Sequence, residues 1–434
     1  MDSLHVAGGR VLRPDGTVEE ADVLVDRDAG TIAAVGDVDD ATAHASAETL
    51  DASGGLVIPG FVNAHTHVAM TLLRGYADDK PLDAWLQEDV WPVEAELEPE
   101  DVAAGARLGV VEMIRSGTTA FADMYFEMDQ VASVVAESGL RARLGHGAIT
   151  VGKDAEAAHA DFETGLAFAR EYDGAADGRI STMLTPHSLT TVDEAYYREY
   201  VPRAREAGIP VHVHANETTD EVDPIVDEHG ERPLAYADDL GVLAPDSFLA
   251  HCVHVDAAEI DLLAERGAAV IHCPASNMKL ASGMAPVQAL VDAGVTVGLG
   301  TDGAASNNDL DMFDELRDAA MLGKLAAEDA SAVDAPTAVE MATAGGAAAI
   351  GIDSGRIEPG ANADLAVVDL AAPHLTPRHD LVSHLAYAAR GGDVRHTVCD
   401  GTVLMRDREV QTVDVAAARA AAQERATALV ARAE

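Results

Sequence analysis

Between residues 56 and 303, short apolar runs alternate with longer segments whose apolar residues recur every three or four positions. The runs are LVIPGFVNAHTH, TTAFADM, LRARLGHGAI, ISTMLTPHS, PVHVHANE, SFLAHCVH, AAVIHCPASN and VTVGLGTDG, each bounded by Gly, Pro or polar residues. Runs of this length and border read as buried strands, and the segments between them, among them 100–116, 193–207, 256–266 and 309–326, read as amphipathic helices. Eight such units predict an α/β fold, a (β/α)8 TIM-like barrel. An open doubly wound sheet is the structural alternative, but it has no need of eight units.

The two ends of the chain have a different texture. LHVAGGRVL, ADVLVD and TIAAVGD near the start, and ADLAVVDL, RHTVCDGTVLM and REVQTVD after residue 355, alternate apolar and polar positions between tight turns. This is the pattern of small antiparallel strands. We therefore expect 1–57 and 355–434 to build one small β-sandwich domain from both termini, flanking a catalytic barrel over 58–354. An Ala-rich stretch over 414–434 reads as a closing helix.

Composition narrows the function. With 29 Lys and Arg against 75 Asp and Glu, the formal charge is −46, which repels nucleic-acid phosphates and anionic membranes. The acids are dispersed rather than gathered in a tail, as on a surface adapted to a high-salt cytosol, where the Debye length shrinks to roughly 3 Å at 1 M. Three separated cysteines without a CxxC pair read as reduced thiols. The opening MDSLHVAGGRVL lacks a signal-peptide layout, and no window offers about 18 uninterrupted apolar residues. A cytoplasmic, halophilic protein is the expectation.

The chemically capable residues gather where the apolar runs end: His65 and His67, His187, His214 and Glu217, His251, and Asp302. In a barrel those ends meet on one rim. Residues i and i+2 of a strand share a face, so His65 and His67 point the same way. Three imidazoles and a carboxylate from the first, fifth and eighth runs could close around one metal ion. Spacing alone does not choose between His212 and His214; His214 lies nearer the rim and is preferred. The HxE with PCxxC signature of other zinc deaminases and the HExxH motif are both absent.

GFVNAHTH, followed by the fifth-run His and the last-run Asp, resembles the amidohydrolase superfamily over nearly the whole chain. VWPVEAEL, TPHSLTT, HANET, AHCVH, PASNMKL and LGTDGAASNN resemble more narrowly the methylthioadenosine/S-adenosylhomocysteine deaminases within it. The resemblance implies hydrolytic deamination of a 5'-substituted adenosine to the inosine analogue and ammonia. It implies one divalent metal, zinc first with Fe2+ or Mn2+ also suited, on His65, His67, His214 and Asp302. Binuclear members use a carbamylated barrel lysine, and none of Lys80, Lys153, Lys279 and Lys324 is expected on an inward strand end. Glu217 would relay protons, Asp302 would accept one, and His251 would stabilise the attacking oxygen. Glu94 and His187 would contact the nucleoside, with 68–98, including Trp85 and Trp91, as a lid.

One departure stands out against the resemblance. The arginines that bind the amino-acid tail of S-adenosylhomocysteine are missing from LGHGAITVGKDAEAAHADF, and Arg141 and Arg143 come too early in the strand. Uncharged 5' substituents are therefore favoured. A triazine chlorohydrolase or a guanine or cytosine deaminase on the same fold is the rival enzyme, and a catalytically silent barrel scaffold is the rival outside enzymes. The partner implied is a small nucleoside; nucleic acid and membrane are not expected, and a homo-oligomer stays open.

Overall fold

The computed structural model describes residues 2–37 and 48–434. The part of the N-terminal β expectation that falls on 38–47 lies outside the described residues. The middle of the chain carries the parallel strands Phe61–His67, Thr118–Tyr125, Arg141–Ala148, Ile180–Thr182 continued by Thr185–Pro186, Val211–Ala215, Ser247–His251, Ala269–His272 and Val297–Leu299. Each pairs in parallel with the next. Single parallel bridges, Leu184 to Val211 and Ser188 to His214, join the fourth to the fifth. Just past the last strand, Asp302 and Gly303 pair with Thr66 and His67, so the ladder returns to its first member.

Helices fill the intervals, and their ends follow local chemistry. Pro99–Ser116 begins with a capping box between Glu98 and Asp101 and stops at Gly117, whose φ of 89° suits glycine. Ala257–Arg266 carries a second box between Asp256 and Glu259. The helices expected near 193–207 and 309–326 are Glu194–Glu206 and Met312–Ala326. The fourth strand departs from the pattern: it is broken at Met183 and Leu184, and Leu184 N–H bonds across to Pro210 instead. The interval expected as a lid is a string of short helical turns, Val68–Leu73, Leu82–Trp85, Leu86–Val90 and Trp91–Glu94.

Both chain ends meet in two further sheets. One orders Thr31–Gly36, Asp22–Asp26, Ser3–Ala7 and Glu48–Asp51; the other runs from Glu409–Val410 through Thr402–Arg406, Val394–Cys399, Leu365–Asp369, Gly55–Pro59 and Arg10–Leu12 to Val18–Glu20. Leu4, Val6, Val23 and Leu50 of the first share a core with Val11, Val57, Leu365 and Val398 of the second. The second sheet takes in Gly55–Pro59, immediately ahead of the first parallel strand, so the step between the two regions is short. Val415–Ala433 forms the closing helix and packs on Pro99–Ser116. Among the described residues no helix is long and apolar enough to cross a membrane.

Candidate active site

His65, His67, His214 and Asp302 come together at the C-terminal ends of the first, fifth and eighth strands. One ligand atom from each lies within 4.8 Å of all the others. Hydrogen bonds behind the rings decide which nitrogen faces inward. The Nδ1 of His67 lies 2.6 Å from the Met124 carbonyl and that of His214 lies 2.7 Å from the His187 carbonyl. In its neutral form each therefore carries its proton on Nδ1 and keeps a lone pair on Nε2. The third imidazole is set through a relay. His212 donates from Nδ1 to the Phe248 carbonyl at 2.8 Å, so its Nε2 accepts from His65 Nδ1, also at 2.8 Å. His65 Nε2 is then a buried lone pair without a hydrogen-bond partner, the kind of orphan a cation satisfies. His212 thus stands behind the group and His214 within it, a distinction that strand spacing leaves open.

Asp302 is equally prepared. Its Oδ2 accepts from Ser276 and Ser306, each at 2.6 Å, and Oδ1 points to His65 Nε2 at 3.3 Å and His67 Nε2 at 3.2 Å. Burial alone would raise its carboxyl, but the imidazoles hold it well below the usual range. Burial holds His65 down to about 4, whereas on His67 the burial effect is outweighed by Asp302 and the ring rises to about 9. The cage therefore favours a positive charge between Nε2 atoms and carboxylate, and the donor set suits a borderline ion such as zinc. Gly300 permits the packing: a side chain there would lie 2.8 Å from the His65 backbone nitrogen. None of the four lysines lies on a strand.

The other predicted residues surround this group. Glu217 is buried, its Oε1 accepts from the Ser282 hydroxyl at 3.0 Å, and burial raises its carboxyl. His251 Nδ1 donates to Asn277 Oδ1 at 2.9 Å, which aims Nε2 toward Glu217 Oε2, 3.6 Å away. Asn216, His251 and Asp302 all have left-handed backbones, with φ of 53°, 73° and 61°. Such conformations cost about 1–3 kcal/mol each in non-glycine residues and gather at functional sites. The His187 ring lies 4.7 Å from the His214 ring, tilted 44° to it, its Nδ1 is 2.8 Å from Thr191 Oγ1, and burial lowers it to about 3. Glu94 accepts from the Tyr125 hydroxyl at 2.6 Å; burial pushes its carboxyl up to about 7 against the opposing pull of that bond.

His67, Glu94, His187, His214, Glu217, His251 and Asp302 open onto one cavity of about 630 Å3, walled by Trp85, Leu86, Trp91, Phe126, Ile149 and Val151. Among the described residues no lysine or arginine lines it. Arg141 sits at the opposite end of its strand, bound to Asp364 at 3.2 Å and Asp400 at 3.0 Å, and His146 is turned to Asp161 at 3.2 Å. Sequence reading passed over Tyr125, Ser282 and Ser306. The signal for Tyr125 was slight, an aromatic one residue beyond the run TTAFADM and next to Phe126.

A model of the amidohydrolase family matches residues 56–404. A 5-methylthioadenosine/S-adenosylhomocysteine deaminase of Haloarcula marismortui is 70% identical over all of both chains. A 5'-deoxyadenosine deaminase of Methanosarcina mazei is 44% identical over 99% of this chain and 96% of its own. Among solved structures, a zinc-bound adenosine deaminase from Xanthomonas campestris is 40% identical, covers 99% of each chain and superposes with a TM-score of 0.92. The chain belongs to the amidohydrolase family.

Proposed function

We propose that this chain is a mononuclear metal-dependent aminohydrolase that converts 5'-substituted adenosines to the inosine analogue and ammonia, with methylthioadenosine first, and S-adenosylhomocysteine and 5'-deoxyadenosine next. The observation that carries the reading is a buried carboxyl whose pKa burial raises, Glu217, beside His251 and next to the four-residue cage, at the floor of one apolar-walled cavity. The names borne by the relatives support the same substrate class. The pairing that returns to the first strand supports a closed (β/α)8 barrel over 58–354, and the core shared by the terminal sheets supports a β-sandwich built from 1–57 and 355–434. An acidic surface suits a halophilic protein.

His65, His67, His214 and Asp302 would hold one divalent ion, zinc first, whose charge would make a water acidic enough to serve as nucleophile at neutral pH. The residues of the chain handle the protons and the substrate. Glu217, whose proton affinity burial raises, takes a proton from the attacking water as the carboxylate, passes it to the purine ring nitrogen, and assists departure of ammonia. His251, its Nδ1–H tied to Asn277, turns the Nε2 lone pair to the attacking water, accepts a hydrogen bond from it and so orients the oxygen that becomes the tetrahedral substituent. Asp302 accepts a further proton, its second oxygen being fixed by two serines. Glu94 receives the ribose hydroxyls and His187 contacts the sugar side or a ring nitrogen, while Trp85 and Trp91 wall the planar base.

Displacement of chloride from a triazine needs no proton delivered to the leaving group, so Glu217 favours deamination. Ammonia release measured in molar KCl across methylthioadenosine, S-adenosylhomocysteine, 5'-deoxyadenosine, adenosine, guanine and cytosine tests the reading. Turnover of the nucleosides is expected; turnover of free bases alone would overturn the substrate class.

A further inference from the structure

Glu221 has no part in the chemistry above, yet it is tied to the residue that does most of it. The helix Thr219–His229 is capped by Thr218, whose hydroxyl accepts from Glu221 N–H at 3.3 Å. In the reciprocal capping box the third-residue carboxylate reaches back to the cap residue's own N–H, as Glu259 does for Asp256 at 3.1 Å one unit later. Glu221 reaches one residue further. Its Oε2 accepts from the backbone N–H of Glu217 at 2.8 Å. That peptide follows Asn216, whose left-handed backbone turns the chain away from the fifth strand. Asn216 is held from the other side, its amide donating to both Glu259 oxygens at 3.2 Å while its carbonyl accepts from His254 N–H at 2.9 Å.

We infer that Glu221 is a positioning residue for Glu217, fixing the peptide from which the Glu217 side chain reaches the reacting atoms. The remaining Glu221 oxygen, Oε1, is buried without a partner, as is the Tyr197 hydroxyl. The carboxyl therefore faces protein, although other atoms of Glu221 line the cavity. A direct substrate contact would need a free oxygen turned to the cavity, whereas Oε2 is engaged by the Glu217 N–H and Oε1 is buried. What it controls is an angle, and misplacement of a reacting group by about 1 Å can cost on the order of a hundredfold in rate.

The inference rests on the proposed deaminase activity, and the test separates the two. Glu221→Gln keeps a carbonyl oxygen able to accept the Glu217 N–H; Glu221→Met keeps the length and removes the acceptor. With methylthioadenosine in molar KCl, Glu221→Gln is expected to keep kcat within about threefold, while Glu221→Met loses about 10- to 100-fold in kcat with KM changed less than about twofold. Bound metal per chain should be the same in both. Glu221→Ala, smaller and also without an acceptor, repeats the measurement if the methionine variant does not fold. Equal losses in the Gln and Met variants, a loss confined to KM, or full kcat in Met or Ala would each overturn the positioning role. A wild-type chain that releases no ammonia from any nucleoside would instead remove the proposed activity.

Discussion

The third strand, Arg141–Ala148, joins two ends of the same sheet that bury polar groups differently. At its start, Arg141 is locked between Asp364 and Asp400, both from the C-terminal segment; Asp364 also accepts from Ser354 at 2.5 Å and from Asp400 N–H at 2.8 Å. Both oxygens of Asp364 are occupied. At the opposite end of the strands, the buried polar atoms are left with capacity: His65 Nε2 has no partner, Asp302 Oδ1 meets only imidazoles, and Glu217 holds one hydroxyl donor. A saturated network fastens two parts of a fold, whereas an unsaturated one waits for a ligand. The same residue types thus serve assembly at one end and chemistry at the other.

The largest expected effects break the unsaturated end. Asp302→Asn removes a ligand and a charge, so bound metal and turnover should both fall, turnover by at least about a thousandfold. Glu217→Gln touches no ligand, so metal content by elemental analysis should stay at the wild-type level while kcat drops by about a hundred- to ten-thousandfold. A fully active Glu217→Gln enzyme would remove the proton relay. At the saturated end the roles reverse. Asp364→Ala leaves Arg141 buried with one partner fewer and should cost about 3–5 kcal/mol of stability, read by denaturant unfolding in molar KCl. Its kcat per folded molecule should be unchanged, and a comparable loss of kcat would show that the two ends are coupled.

How far each end could be read from sequence follows from the range of its interactions. His65 and His67 declare themselves within one strand, because the period of two puts both on one face, and His214 and Asp302 are found by asking what else ends a strand. His212 and His214 share a face as well. Their difference is depth, set by the Phe248 carbonyl behind His212 and the His187 carbonyl behind His214, and a single strand's pattern carries no depth. Arg141 is separated from Asp364 and from Asp400 by more than 200 residues, so their union was invisible, although the early position of Arg141 already kept it away from the substrate. The break in the fourth strand and the reach of Glu221 past its cap are likewise tertiary choices that override local propensity.

The smallest effect expected tests the rim from the substrate side. Burial places the Glu94 carboxyl at about 7, with the Tyr125 hydroxyl opposing the shift. If the ionised carboxylate receives the ribose hydroxyls, binding is complete above that value and is lost as protons are taken up below it. The sign is therefore a fall in kcat/KM on acidification, about tenfold at pH 6 relative to the alkaline plateau. Glu217 also titrates on this side, so the profile alone is ambiguous. A substrate without the 2' and 3' hydroxyls separates them: it cannot use Glu94, and its acid limb should keep only what Glu217 contributes. Glu94→Gln should lower the plateau for the natural ribose and leave the dideoxy substrate nearly unaffected. If both substrates lose kcat/KM alike in that variant, Glu94 acts on the shape of the cavity through Tyr125 instead of on the sugar, and the rim's polar atoms would then include one that is saturated by the fold, as Asp364 is at the other end.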